Sequence, residues 1–425
     1  MPLSHRANSD NIQSIRKISA AHRKLLSFGI VILAVYLGDG LMSYAAPVLI
    51  EQRFGNPLTM GFIMSTSSVF GLIFDIVAGR SFSHYSYCAF VKWLLLLAIA
   101  FPLIFLLLPH EVFFFVLAMG IWGVYYELTK FSLFSFVSKN MHRSEHALSW
   151  GFFEVMHAVG FVIGPILASL LLEKDSVYAL AAASMFYFFA VLCYKFFYLV
   201  QGKKRAITLP NKATTHPQQV ETKQIHVWEL LSHRLWPLLL FTLSIVLIDT
   251  AFFSIGTLLS EELKEKSFIG LLLLPAYTTP FLFMPWFAHY FSTWYGKKRT
   301  AFAAGIFGGL ILSLGSLTYQ VELLMCSVFI TGMCLALAYP EINATFEDYV
   351  VRIGKAGNSL VGLQSSMYSL AYIIGPIVAG YVSTKWGNQH TLALFGGLLT
   401  IVSVLALVVT PRKVRMPQQE LSNTF

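Results

Sequence analysis

Two aspartates, Asp39 and Asp249, lie inside long apolar stretches of the sequence. Placing a charge at the centre of a bilayer costs about 2.5–3.5 kcal/mol on insertion scales, so an ionisable residue there indicates a functional site. Because desolvation disfavours the charged form of a carboxyl group, such a residue can take up and release a proton. Both aspartates are therefore predicted to handle protons. The alternative is a protonated or hydrogen-bonded carboxyl group that only fixes helix packing.

The sequences around the two aspartates align with each other, as do two later segments. "LGDGLMSYAAPVLIEQ" aligns with "LIDTAFFSIGTLLSEE" at a shift of 210 residues, and "GFFEVMHAVGFVIGPILAS" aligns with "GLQSSMYSLAYIIGPIVAG" at a shift of 211. A repeat of this length indicates two related halves. Each half carries a carboxylate in its first apolar segment and a Gly-Pro pair in its fifth.

A second group of ionisable residues belongs to the first half alone. Glu127 and Lys130 share one face of the fourth segment, and Glu154 and His157 share one face of the fifth. We predict proton handling by these four residues and by Asp39 in the first half, with more of the substrate contact in the second. A Glu–Lys pair that merely neutralises itself is the alternative. The corresponding positions in the second half are Ala338, Glu341, Ser365 and Tyr368.

Composition places the chain in a membrane. Hydrophobic residues make up 56% of it and charged residues 12%, against roughly 25% charged residues in a soluble domain. The apolar runs approach the roughly 20 residues that cross about 30 Å of hydrocarbon. We predict an all-α integral membrane protein with twelve transmembrane helices in two six-helix pseudo-symmetric halves. The segments centre on 25–49, 59–79, 88–108, 112–137, 147–172, 177–199, 235–259, 268–290, 300–319, 322–344, 359–383 and 391–410.

Basic residues predict the orientation, since cytoplasmic loops retain Lys and Arg. The basic runs 203–205 and 297–299 fall on the same side as both termini, so both termini are predicted to be cytoplasmic. The predicted membrane is the plasma (inner) membrane. This bias explains the net charge of +9 and leaves little for a nucleic-acid partner to explain. The predicted domains are a tail (1–24), a first half (25–200), a cytoplasmic linker (201–234), a second half (235–410) and a tail (411–425).

Two motifs resemble signatures of the major facilitator superfamily. "GLIFDIVAGR" is similar to that family's signature between its second and third helices, although one extra residue separates Asp75 from Gly79. "WYGKKR" resembles its degenerate copy between the eighth and ninth helices. The resemblance implies a latch at the cytoplasmic edge of the membrane, and ordinary topology-setting charge is the alternative. The latch residues would be Gly71, Asp75, Gly79, Arg80, Gly296 and Lys297.

The fifth segment resembles the motif of the superfamily's proton-linked exporters. Small residues let helices approach closely, and a proline removes one backbone donor and bends a helix, so a hinge or a packing groove is predicted here. The arginine pattern typical of the fourth helix in many proton-coupled members is missing, and Glu127 and Lys130 stand there instead. The hinge residues would be Gly151, Gly160, Gly164 and Pro165, with Gly375 and Pro376 in the second half.

Aromatic residues on the same segments are candidates for lining a pocket. Aromatic faces beside carboxylates favour amphipathic or cationic organic solutes, whereas aromatic girdles at the membrane interface are the alternative. The candidate lining residues are Tyr36, Tyr44, Trp122, Tyr125, Tyr126, Phe252, Phe253, Tyr339, Glu341, Tyr368 and Tyr372.

The resemblance implies a secondary active transporter that works by alternating access, with proton-coupled export of a small organic solute as the leading hypothesis. An importer or facilitator of a small metabolite is the alternative within the class, and a receptor or membrane enzyme is the alternative outside it. No nucleophile–base pair, metal set or phosphate loop is evident by motif, so we expect no enzyme, cofactor or metal. His157 has no second His or Cys at ligand spacing. The expected partners are the solute, protons and the lipid bilayer, with the chain a monomer.

Overall fold

The computed structural model describes residues 3–81, 87–109, 111–141, 146–201, 221–284, 296–353 and 357–410. All regular elements within these ranges are helical. The first six helices are α1 (Leu3–Phe54), α2 (Pro57–Ser81), α3 (Tyr87–Leu107), α4 (Val112–Asn140), α5 (His146–Leu172) and α6 (Ser176–Gln201).

The remaining helices begin with α7 (Glu221–Ala251), which continues through a π turn (Phe252–Gly256) into α8 (Thr257–Lys266). Short pieces follow, namely a 3₁₀ turn (Phe268–Leu272), α9 (Leu273–Thr278) and a second 3₁₀ turn (Thr279–Leu282). The last four helices are α10 (Lys297–Gly315), α11 (Val321–Ile353), α12 (Gly357–Trp386) and α13 (Asn388–Val409).

Ten helical spans in the described residues are long and apolar enough to cross a membrane. They comprise α1 to α6, the continuous α7–α8 helix, and α11 to α13. The chain is therefore an all-helical, multi-pass membrane protein, and the arrangement of twelve spans in two six-helix halves stays a prediction.

The predicted eighth span differs most from expectation, because its described apolar helix, Phe268–Leu282, is short and alternates between 3₁₀ and α geometry. Pro275 and Pro280 lie within it, and each lacks the backbone N–H that a continuous helix needs. Residues 221–234, the last part of the predicted linker, are helical and continuous with the rest of α7. Residues 202–220 lie outside the described ranges.

The chain groups into two compact units. The first comprises Met1–Ala45 and Phe70–Arg205, and the second comprises Ala46–Val69 and Ala206–Phe425. Asp39 belongs to the first unit and Asp249 to the second. The predicted domain limits are not tested by this grouping and stay predictions.

Candidate functional site

Asp39 lies at the centre of a buried polar cluster in the first unit. Its side chain is 1% exposed, and Oδ1 accepts a hydrogen bond from the indole Nε1 of Trp122 at 3.0 Å and another from the hydroxyl of Tyr125. Tyr125 lies 3.0 Å from the hydroxyl of Tyr187 on α6. Because Tyr125 gives its only hydroxyl hydrogen to Asp39, Tyr187 is the donor in that second contact.

The other carboxyl oxygen of Asp39 differs from Oδ1 in its hydrogen bonding. Oδ2 is buried, and the described residues offer it no hydrogen bond. All donors to Asp39 in the described structure are uncharged, so the carboxyl group has hydrogen bonds on one side and no counter-ion.

Asp249 has a related environment in the second unit. Its Oδ1 accepts a hydrogen bond from Tyr277 on α9, and its Oδ2 accepts one from Tyr339 on α11. The π turn that begins three residues later places Phe252 on Tyr277, with ring centroids 4.0 Å apart and planes 17° apart. π turns inside helices are frequent at functional sites. Asp249 is partly rather than fully buried.

The two aspartates therefore have similar hydrogen-bond environments. The repeat predicts the positions of the aspartates but not their aromatic donors. Both accept hydrogen bonds from phenol groups, including Tyr125 on α4 in the first unit and Tyr339 on α11 in the second. A carboxyl group held by neutral donors can change protonation state without breaking an ion pair. The difference is that Asp249 has a donor on each oxygen, whereas Asp39 has both of its donors on one.

The structure divides the four predicted inner residues into two pairs. Lys130 donates to Glu127 over 2.7 Å and lies 4.9 Å above the ring of Tyr126. His157 packs edge-on against Tyr36 at 4.9 Å. Glu154, on an exposed position of α5, interacts electrostatically with Tyr36, as does Tyr126. Tyr36 therefore interacts with Glu154 and His157 and also with Tyr126, over whose ring Lys130 lies.

The predicted latch residue Asp75 lies beside the Glu127–Lys130 pair. It interacts electrostatically with both residues, and its Oδ1 is buried without a hydrogen bond from the described residues. The surroundings of Gly79 and the side chain of Arg80 are not among the described features, so the predicted Asp75–Arg80 contact stays a prediction. In the second copy of the motif, Lys297 forms a 2.8 Å ion pair with Asp348, and Gly296 adopts a positive φ of 81° immediately before α10.

The glycines of the predicted hinge have different surroundings. A Cβ at Gly160 would overlap the backbone of Tyr36, and one at Gly164 would overlap the backbone of Gly40. A Cβ at Gly151 would meet nothing within 4 Å. The close approach of α5 to α1 therefore depends on Gly160 and Gly164, just ahead of Pro165, and not on Gly151.

The matching frame in the second unit also includes a close contact, where a Cβ at Gly375 would overlap the side chain of Thr250. The next residue, Pro376, lies against Gly61, because a Cβ at Gly61 would overlap the carbonyl oxygen of Pro376. Gly71, by contrast, is not sterically required, because a Cβ there would lie 3.4 Å from its nearest neighbour, the carbonyl oxygen of Gly123.

The predicted lining residues have different degrees of burial. Phe252 is fully buried and Glu341 is 4% exposed, whereas Tyr126 and Tyr372 are 38% and 37% exposed. Trp122 and Tyr339 contact the aspartates, as described above. Tyr368 donates to the side chain of Asn343 over 3.2 Å.

Sequence reasoning missed several members of these clusters. Tyr187 and Tyr277 are ordinary aromatic residues in apolar segments, and nothing in their spacing connects them with an aspartate. Asn343 and Gln364 had a usable signal, since each is an uncharged polar residue inside a membrane-length segment.

Within the described ranges, no three His, Cys, Asp or Glu side chains are grouped so as to hold a metal ion. The polar clusters consist of phenol, indole, carboxyl and amide groups, which are the types of group that hydrogen-bond to a polar solute. Phenol, carboxyl and amide groups can exchange protons or bind such a solute without a cofactor.

Comparisons with known proteins identify the family of this chain. The sequence matches the family model of the Major Facilitator Superfamily over residues 28–356 and again over 238–423. The fold is similar to that of a point mutant of the nucleoside transporter NupG, with a TM-score of 0.69 and 15% identity over 91% of this chain and 100% of that chain. A second NupG structure matches with a TM-score of 0.65 and 14% identity over 92% and 100%. No curated protein matches. The chain belongs to the Major Facilitator Superfamily.

Proposed function

We propose that this protein is a secondary active transporter that couples the movement of a small organic solute to the movement of protons. The observation that carries the proposal is the environment of Asp39, a 1% exposed carboxyl group in a membrane span with neutral donors on one oxygen and none on the other. Family membership supports transport in general, and the coupling to protons is inferred from this carboxyl group.

Asp39 is suited to bind a proton because its two oxygens are unequal. A charged oxygen that is buried without a hydrogen bond is costly. A proton on Oδ2 removes that charge and leaves the hydrogen bonds from Trp122 and Tyr125 to Oδ1 in place. Loss of the proton restores the charge without rebuilding the cluster.

Asp249 is suited to a different role. Each of its oxygens already accepts a phenol hydrogen, from Tyr277 and from Tyr339. Its main contribution is to fix the positions of these two aromatic residues on α9 and α11. The proposed division of labour places proton binding in the first unit and solute contacts in the second.

Two directions of transport fit this mechanism. Proton-linked export is supported by the glycine frame of α5, because Gly160 and Gly164 form the close α5–α1 contact that the exporter-like motif would need. Proton-coupled import of a nucleoside is the second candidate, whereas a nucleoside facilitator would need no proton coupling. The second candidate is favoured by the similarity of fold to NupG.

The test is transport by the purified full chain in proteoliposomes with an imposed pH gradient. Radiolabelled uridine and the amphipathic cation ethidium serve as probes for the two candidates. We expect Asp39→Asn to abolish accumulation driven by the pH gradient while exchange of the same probe across the membrane continues. The matched variant Asp249→Asn should retain part of the gradient-driven accumulation.

Two outcomes contradict the proposal. If wild-type protein moves a probe at the same rate with and without the gradient, the protein is a facilitator. If Asp39→Asn keeps gradient-driven transport while Glu127→Gln or Glu154→Gln loses it, the proton site lies in the inner cluster and Asp39 is a packing residue.

A further inference from the structure

Two side-chain amides form a hydrogen-bonded pair between α11 and α12. Gln364 Nε2 donates to Asn343 Oδ1 over 2.8 Å, and the Tyr368 hydroxyl donates to the same oxygen over 3.2 Å. Both amides lie inside membrane-length spans, Val321–Val350 and Leu360–Trp386. Asn343 is exposed and Gln364 is partly exposed. Exposed amides would be costly in contact with hydrocarbon, so this surface suits water or a polar ligand.

The contacts determine which amide atoms remain available. Asn343 Oδ1 accepts two hydrogen bonds, which sets the orientation of that amide. The Nδ2 hydrogens of Asn343 and the Oε1 oxygen of Gln364 have no partner among the described residues. The pair therefore presents one donor group beside one acceptor, which is complementary to a ligand edge that carries an acceptor beside a donor.

Aromatic side chains adjoin the amide pair. Tyr339 lies one turn before Asn343 on α11, and Tyr372 lies one turn after Tyr368 on α12. Residues four apart on a helix share a face. Tyr372 is 37% exposed, and Tyr339 has Phe281 at 6.1 Å between ring centroids. The face thus combines hydrogen-bonding amides with aromatic surfaces that suit a planar ring.

The charge of the site favours an uncharged ligand. Asn343, Gln364 and Tyr368 are neutral groups, and both oxygens of the nearby Asp249 already accept hydrogen bonds from Tyr277 and Tyr339. Neither oxygen of Asp249, which interacts with Tyr368, is left without a donor to pair with a cation.

We propose that Asn343 and Gln364 bind the hydrogen-bonding edge of a nucleobase, an uncharged planar ring with a donor and an acceptor side by side. Asn343 Nδ2 donates to the acceptor of that edge and Gln364 Oε1 accepts from its N–H group, while the neighbouring tyrosines contact the ring. Asn and Gln amides recognise base edges in this way in nucleic-acid complexes. The inference deepens the proposed transport function and rests on it for the biological role of the site.

The experiment compares nucleosides that differ by one group on that edge. Binding to the purified full chain is measured by isothermal titration for uridine and for 3-methyluridine, in which a methyl group replaces the N3 hydrogen. Adenosine and N6,N6-dimethyladenosine form a second pair. We expect the unmodified nucleoside of at least one pair to bind roughly ten-fold or more tightly than its methylated partner, the size of effect expected for one two-point base contact.

The variants assign this discrimination to the amides. Asn343→Asp replaces the free donor by an acceptor, Gln364→Glu removes the Nε2 donor that fixes the Asn343 amide, and both preserve side-chain size. Each should reduce the ratio between the paired nucleosides to near one. Ser365→Ala, an exposed position adjacent to Gln364 on α12, should leave the ratio unchanged. Size-exclusion profiles like that of wild type confirm that the variants fold.

The results separate this inference from the proposed function. If no nucleoside binds while ethidium is carried in response to the pH gradient, the nucleobase site is wrong and the transporter stands. An undiminished ratio in both amide variants also overturns the site. If the nucleosides bind with the expected discrimination but none is moved, the site stands and the transport proposal fails.

Discussion

At the scale of single residues, the two aspartates depend on aromatic donors for their place in the membrane. Asp39 accepts hydrogen bonds from Trp122 and Tyr125, and Asp249 from two tyrosines. Removing one partner of a buried charged group leaves the other uncompensated, which costs more than the pair itself contributes. The phenols are therefore expected to matter for folding as well as for proton handling.

Tyr125→Phe tests this dependence. The substitution removes the hydrogen bond to Asp39 and leaves the buried hydroxyl of Tyr187 without its acceptor. We expect the free energy of unfolding to fall by about 1–3 kcal/mol, seen as a lower thermal unfolding temperature in detergent. Tyr187→Phe, which removes only the outer contact, should have a smaller effect.

The same pair of substitutions in an Asp39→Asn background completes a double-mutant cycle. The effect of Tyr125→Phe should shrink there, because the carboxylate it stabilises is absent. An equal loss in both backgrounds would show that Tyr125 stabilises the first unit by packing alone.

The sequence was informative about residues that act within one helix or within the repeat. Asp39 and Asp249 follow from the duplication, and the Glu127–Lys130 contact follows from their spacing of three residues. The phenol partners are different, since Tyr187 and Tyr277 meet the clusters only through the packing of separate helices. Spacing along the chain does not encode such contacts, so the aspartate positions were predictable and their complete hydrogen-bond partners were not.

At the scale of elements, the Gly-Pro helix α5 packs on α1 through backbone contacts. The predicted motif contains three glycines, and the structure distinguishes them. Gly160 and Gly164 leave no room for a Cβ, whereas Gly151 is open. Close helix contacts in membranes commonly use small residues in this way, because they allow backbone atoms to approach.

Gly164→Val is expected to be disruptive and Gly151→Val to be tolerated. A valine at Gly164 must displace the α1 backbone near Gly40, and overpacking of this kind costs typically 1–3 kcal/mol. Expression level, thermal unfolding temperature and solute flux in proteoliposomes measure the effect. Normal values for Gly164→Val would show that α5 can shift away from α1 without consequence.

The elements themselves were predictable to different extents. Long apolar runs located most of the spans, because length and hydropathy alone determine whether a helix can cross the membrane. The segment at 268–290 was predicted as one α-helix, whereas its described part, which contains two prolines, alternates between 3₁₀ and α geometry. The polar start of α7, from Glu221, is not evident from hydropathy, whereas the amphipathic stretch at 225–234 is compatible with a helix.

At the scale of the whole molecule, the positive-inside pattern predicts which loops face the cytoplasm. Single cysteines at Gln52 and Gln320 should react with a membrane-impermeant maleimide added to intact cells, and one at Ser138 should react only after the membrane is opened. All three positions are exposed. The background replaces the four native cysteines, Cys88, Cys193, Cys326 and Cys334. Reaction of Ser138→Cys in intact cells would reverse the predicted orientation.

Asp75 connects the orientation to alternating access. It interacts with Glu127 and Lys130 at one end of the first unit, and the family resemblance assigns it, with Arg80, to a cytoplasmic latch. If this latch holds the inner side closed, Asp75→Asn should favour the inward-open state. We expect maleimide labelling of cysteines at Val155 on α5 and at Ser365 on α12 to increase at least two-fold in inside-out vesicles.

Glu127→Gln identifies which partner the latch uses. If Asp75 acts through the Glu127–Lys130 pair, this variant should raise the same labelling, because Lys130 loses the carboxylate that it contacts at 2.7 Å. If Asp75 acts through Arg80, Glu127→Gln should leave labelling near the wild-type level while Asp75→Asn raises it. A gate that loses its latch must spend more time open. If Asp75→Asn changes neither labelling nor transport, the motif is therefore only a determinant of topology.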